Sequence, residues 1–141
     1  YYTRNEEGVF LTNYKPMRGN SVEDGAVYTS QVSSYEENRY GLYDMAGNVA
    51  EWTRNAFDES AYTYTHDMNP NYQYNALPDD PPVLKRKVVR GGSWKDIGYY
   101  LQNGTRSFEY QDSSKSYIGF RCVRSRLGGE DVNDIMQSDT Y

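Results

Sequence analysis

Apolar and polar residues alternate along only short stretches of this chain. Val83, Val88 and Val89 make residues 83–90 the clearest strand, broken by Gly91-Gly92. Residues 117–124, YIGFRCVR, alternate as well and read as a second core strand. Residues 29–35 alternate weakly, with Val27 and Val32 as apolar contacts, and residues 1–10 read as a loop entering a short strand. Between them, residues 11–28 carry turn chemistry throughout: Asn13, Pro16, Gly19-Asn20 and Asp24-Gly25. Asn103-Gly104 marks another turn inside residues 95–106, a segment whose pattern selects neither helix nor strand.

The densest pattern is YGLYDMAGNVAEW, residues 40–52. Leu42, Tyr43, Met45, Val49 and Trp52 are apolar or aromatic anchors, and Gly41, Ala46, Gly47 and Ala50 let backbone approach backbone. Asp44, Asn48 and Glu51 add oxygen donors. The mixture predicts a tight turn leading into a short helix over residues 40–54, with Asn48 or a neighbour as its cap and Glu51 near its first turn. Residues 55–82 lack helical periodicity and are rich in Tyr, Asn, Asp and Pro. Long irregular segments are usually functional or disordered, and the rings here (Phe57, Tyr62, Tyr64, Tyr72, Tyr74) favour packing. Gly128-Gly129 closes a domain of residues 1–128 and leaves 129–141 as an acidic tail or partner-binding peptide.

Composition changes the picture of the core. Large aliphatic residues are scarce, yet aromatics reach 16%, with 16 tyrosines, and the net charge is only −5. The 141 residues therefore suit one folded domain with a core of rings, whose hydroxyls need partners. No run of 18 apolar residues is long enough to span a membrane as a helix. The chain opens at Tyr1 in mid-pattern without a signal peptide, as a fragment or mature product would. One cysteine, Cys122, excludes an internal disulfide and a Cys-based metal cluster, and its position reads as a buried small hydrophobe. The single His66 excludes a His-based zinc site or a Ser-His-Asp triad within the chain. Residues 55–82 hold Asp58, Glu59, Asp67, Asp79 and Asp80 with no Lys or Arg. No continuous basic stripe exists, which argues against nucleic acid as a partner; Lys85-Arg86-Lys87 reads as a solvated strand edge. Arg90 and Arg121 read as ion-pair partners of buried carboxylates, and Trp52 and Trp94 as core anchors rather than sugar platforms.

GLYDMAGNVAEW, RGGSW and IGFRC resemble, in content, order and approximate spacing, the formylglycine-generating-enzyme (sulfatase-modifying factor) domain. The resemblance implies an α+β fold with little regular secondary structure, loosely related to C-type lectins, of which this chain is the C-terminal part only. Within that superfamily, NAFDESAYTYTHDMNP and residues 83–124 are similar to the gliding-motility lipoproteins of the GldK/PorK family. That similarity implies a structural ring subunit of the type IX secretion and gliding machinery, at the periplasmic face of the outer membrane. The implied partners are a GldN/PorN-type ring protein, copies of itself, and the membrane through a lipid anchor outside this chain.

Active members of the enzyme family carry two cysteines just after RGGS that bind copper as thiolates, the soft ligands Cu(I) requires. Counted forward from Arg90, the matching positions hold Asp96 and Leu101; counted back from Arg106, the second falls on Gly98. The resemblance thus implies an enzyme-like fold without the catalytic pair. It also implies two structural Ca²⁺ sites made of hard oxygen donors. One matches Asp44 and Glu51 by side chain and Gly47 and Val49 by carbonyl; the other matches Asn13, Tyr14, Asp24 and Ala26, though the chain is three residues shorter than the family between Tyr14 and Asp24. Two other readings stay open: a superfamily enzyme, such as an iron-dependent sulfoxide synthase, with its metal ligands outside this sequence, or a lectin-like module contacting ligand through the tyrosine-rich loop.

Overall fold

A computed structural model describes residues 3–16, 28–65 and 70–124, except for the side chains of residues 62 and 65. The acidic tail, His66, Asp24 and Ala26 lie outside the described residues. The centre is a four-stranded mixed sheet in the order β3-β2-β1-β4. Its strands are β1 (Ala50–Ala56), β2 (Arg86–Arg90), β3 (Ser107–Tyr110) and β4 (Ile118–Gly119). β1 and β2 pair antiparallel, as do β2 and β3, while β4 lies parallel to β1. Helical structure is slight: α1 (Ala61–Thr65) and 3₁₀ turns at Pro82–Lys85 and Gly98–Leu101. None of the described helices is long and apolar enough to cross a membrane.

β2 sets the core. Successive strand residues face opposite sides of a sheet, and Val88 and Val89 are only 1% and 2% exposed, so β2 is covered on both faces. Among the described residues, Phe10, Leu101, Pro70 and the alanines Ala46, Ala50, Ala56, Ala61 and Ala76 are also buried. The expected tyrosine core is therefore not what forms: every described tyrosine is half-buried or exposed. Small residues let the sheet and its loops pack closely, and the phenols stay where water can reach their hydroxyls.

Several local expectations are corrected. Residues 40–54 do not become a helix. Asp44, Gly47 and Asn48 hold φ values of 51°, 75° and 62°, and left-handed residues cannot continue a right-handed helix. The chain leaves this loop directly as β1, so Asn48 caps nothing and Glu51 sits in a strand opposite Arg90. Residues 83–90 form a strand only from Arg86; Pro81 and Pro82, which lack N–H donors, start a 3₁₀ turn instead. The strand in residues 117–124 shrinks to β4, with Phe120 and Val123 77% and 93% exposed, and Cys122 is exposed rather than buried. Residues 29–35 contain no strand, and the described residues 3–10 contribute one isolated bridge, Arg4 to Phe10. β3 was not anticipated, although Phe108 and Tyr110 alternate with polar residues there.

The described parts of the irregular segment, residues 55–65 and 70–82, are packed onto the sheet. The Ala56 N–H donates to the Tyr72 carbonyl at 2.8 Å. The Gln111 amide pairs with both backbone groups of Ala76, at 3.2 and 2.8 Å. The basic run holds the same segment: Lys85 donates to the Pro78 carbonyl at 2.7 Å, Arg86 to Glu59 at 3.1 Å, and Lys87 to the Asn75 side chain at 2.7 Å. Arg86 also lies over the Phe57 and Phe108 rings. These bases are thus clamps rather than a solvated edge.

Candidate functional site

The loop before β1 is pinned from three directions through Asn48. The Asn48 N–H donates to the Asn13 carbonyl at 2.8 Å, and its own carbonyl accepts the Trp94 N–H at 2.9 Å. Its side chain behaves like a strand partner, accepting from Ser30 N–H at 2.9 Å and donating to the Ser30 carbonyl at 3.3 Å. One residue earlier, the Gly47 N–H donates to the Gly91 carbonyl at 2.8 Å. A β-carbon on Gly47 would lie 2.2 Å from the Thr12 hydroxyl and 2.4 Å from the Asn13 carbonyl oxygen, so only glycine fits. Thr12 in turn hydrogen-bonds the Ala46 carbonyl. Three segments far apart in sequence, around residues 13, 47 and 92, are thereby drawn to one point.

On the outer side of this knot lies a cleft of about 430 Å³ whose lining includes Asp44, Val49, Glu51, Phe120 and Arg121. Arg121 organises it. Its Nε donates to both Glu51 oxygens at 2.7 and 2.8 Å, and its terminal nitrogens reach the Tyr43 and Asp44 carbonyls, each at 3.1 Å. The hydrogen bonds that Arg121 donates to Glu51 hold the guanidinium above its ordinary pKa despite partial burial. The reading of Arg121 as an ion-pair partner holds, with a half-buried rather than buried carboxylate. Asp44 is half satisfied: Oδ2 accepts the Ser33 N–H at 2.8 Å, whereas Oδ1 is buried without a partner.

Of the four positions matched to the first calcium site, Asp44, Val49 and Glu51 share this cleft, and Gly47 is buried beside it. Of the second set, Asn13 is 0% exposed; its Nδ2 donates to the Tyr28 carbonyl at 2.6 Å and its Oδ1 has no partner. Tyr14 is half-buried beside Phe10. Buried oxygen acceptors without donors are what a hard cation satisfies, so Asp44 Oδ1 and Asn13 Oδ1 fit Ca²⁺ chemically. Glu51 fits less simply, since an ion there would share it with Arg121. Among the described residues no group of three or more His, Cys, Asp or Glu is gathered to hold a metal.

The stretch matched to the copper thiolates has different work. Asp96 Oδ2 accepts from the Ser93 hydroxyl at 2.6 Å and the Ser93 N–H at 3.0 Å, which closes the turn after Gly92. Leu101 is a core residue whose Cδ1 would lie 2.9 Å from a β-carbon on Gly92. Gly98 opens the 3₁₀ turn that delivers Leu101. A carboxylate bound to its own turn, a buried isobutyl group and a glycine do not fit a Cu(I) site. Trp94 is half-buried, edge-on to Tyr28 with centroids 5.1 Å apart, and Trp52 is half-buried in β1. Sequence reasoning missed the role of Asn48 as a hub and of Ser93 as the donor to Asp96; the Ser-x-x-Asp spacing was the available signal for the second.

Residues 2–126 match the sulfatase-modifying factor enzyme 1-like domain. The formylglycine-generating enzyme of Mus musculus is 35% identical over 111 residues, covering 77% of this chain and 27% of the mouse protein. The inactive C-alpha-formylglycine-generating enzyme 2 of Bos taurus is 33% identical over 112 residues, covering 75% of this chain and 30% of the bovine protein. Among solved structures, Treponema denticola variable protein 1 superposes with a TM-score of 0.56 at 30% identity, over 78% of this chain and 34% of that one. The chain thus spans under a third of the length of these curated relatives.

Proposed function

This chain belongs to the sulfatase-modifying factor enzyme 1-like family, and within it we propose a structural, non-catalytic role. One observation carries the reading. The positions that follow RGGS hold Asp96, Leu101 and Gly98, each committed to the turn or the core, where copper chemistry needs a pair of thiolates. The lone Cys122 lies beyond β4. The bovine relative described as inactive is a precedent for the domain without the activity.

In the same reading, Ca²⁺ supports the fold: Asp44, with Glu51 and the Gly47 and Val49 carbonyls, would hold one ion, and Asn13, with Tyr14, Asp24 and Ala26, a second. The ion would supply only charge and coordination, tying the loop before β1 to its neighbours. The more specific role is a ring subunit of the type IX secretion and gliding machinery, at the periplasmic face of the outer membrane with a GldN/PorN-type partner. Support comes from the two GldK/PorK-like stretches lying against each other, through Arg86 to Glu59 and through Arg106 to the Pro70 carbonyl. The test is to isolate the full-length protein from native membranes in mild detergent. Co-purification with a second ring protein in a multi-copy assembly is expected; a monomer with neither partner nor membrane association overturns the assignment.

A further inference from the structure

A second cleft, of about 600 Å³, lies between β1, β2 and the packed segment 70–80. Its lining includes Trp52, Arg54, Gln73, Tyr74, Asn75 and Lys87, and no Asp or Glu. The cleft thus carries two cations and no carboxylate in a protein whose net charge is −5. Neither cation is neutralised among the described residues. Arg54 is exposed, and its side chain makes no hydrogen bond or ion pair with a described residue. Lys87 donates to the Tyr74 carbonyl and the Asn75 amide oxygen, both neutral. Glu109, which faces Lys87 across the strands, turns away: its Oε2 lies 3.8 Å from Lys115 and its Oε1 accepts the Tyr110 N–H.

We infer that this cleft binds an acidic sugar, a uronic-acid-type ligand whose carboxylate meets Arg54 and Lys87 while its ring lies against Trp52 or Tyr74. An anion supplies the counter-charge that Arg54 and Lys87 lack among the described residues, and partial burial of Lys87 makes that gain larger than at an open surface. Aromatic faces suit the C–H face of a pyranose, and the Gln73 and Asn75 side-chain amides offer donors and acceptors for its hydroxyls. The lining has no aliphatic side chain, so it is poorly made for the apolar anchors by which peptides are usually held.

The test uses the full-length protein and three probes: a trimer of galacturonic acid, the same trimer methyl-esterified, and triglutamate, titrated by calorimetry and by Trp fluorescence at low and moderate salt. The galacturonate trimer is expected to bind at least tenfold more tightly than either other probe, and less tightly as salt rises. Arg54→Gln should weaken it at least fivefold without moving the melting temperature, since Arg54 holds nothing else; Lys87→Gln, which keeps a donor for the Tyr74 carbonyl, should act in the same direction. No binding at millimolar concentration, equal binding of the ester, equal binding of triglutamate, or indifference to Arg54→Gln would each overturn the assignment.

Discussion

Gly47→Ala tests the packing of the loop before β1. At a φ of 75° an L-residue is strained by roughly 1–2 kcal/mol. The new methyl would also sit 2.4 Å from the Asn13 carbonyl oxygen and 2.2 Å from the Thr12 hydroxyl. Backbone atoms cannot rotate away, so residues 12–13 must shift. That shift breaks or weakens two hydrogen bonds, Asn48 N–H to Asn13 and Thr12 to Ala46, each worth about 0.5–1.5 kcal/mol. The expected loss is about 2–5 kcal/mol in urea denaturation. Gly8 is the internal control: its φ is 82°, yet nothing lies within 4 Å of an added β-carbon. Gly8→Ala should therefore show only the conformational cost of about 1–2 kcal/mol. Gly104→Ala, with an ordinary φ and open space, should be neutral or slightly stabilising. If Gly47→Ala and Gly8→Ala cost the same within about 0.5 kcal/mol, a typical reproducibility limit for independent sites, the close approach of residues 12–13 to residue 47 is refuted.

Three further outcomes are expected. Arg121→Gln should destabilise by about 1 kcal/mol, a value reduced for partial exposure of the pair, and a double-mutant cycle with Glu51→Gln should recover a coupling of that size; additivity would deny the ion pair. Ser60 and Tyr64 hold the Asp58 carboxyl below its usual range, and Tyr74 and the Leu77 N–H do the same for Asp80. Because a depressed folded value favours the charged form, that stabilisation is full above the ordinary value of 3.8 and is lost as pH falls below it, so NMR titration should find both carboxyls below 3.8 and amide exchange around residues 58–64 and 74–80 rising in acid. Ca²⁺ at 100 times its dissociation constant should stabilise the protein by about 2.7 kcal/mol over EGTA, less so in Asp44→Ala; no calcium-dependent melting shift in the wild type would reject an exchangeable ion.

The sequence announced the motifs better than the elements. Gly91-Gly92 ends β2 and Asn103-Gly104 forms a turn as expected, because those signals are local. The strand in Ala50–Ala56 was hidden because its partner, β2, lies 30 residues later and its alanines suit a helix equally well. What excluded the helix was the left-handed run Asp44, Gly47, Asn48, and only glycine advertises that conformation in a sequence. The exposure of Phe120, Cys122 and Val123 was likewise hidden, since alternation marks a strand without saying whether anything covers it. In the site, Asp44 and Glu51 were legible as oxygen donors on one loop, while the Arg121 contact spans 70 residues and carries no local signal.

The central claim, that this family member is a scaffold without the family's copper chemistry, is tested most directly by mass spectrometry. The full-length protein is incubated with Cu(I), oxygen and a sulfatase-type cysteine peptide, beside a no-protein control and an active formylglycine-generating enzyme. The account predicts that peptide mass stays at the control value while the active enzyme converts its sample. Conversion of the cysteine to formylglycine above control would contradict it, because Asp96, Leu101 and Gly98 offer copper no thiolate.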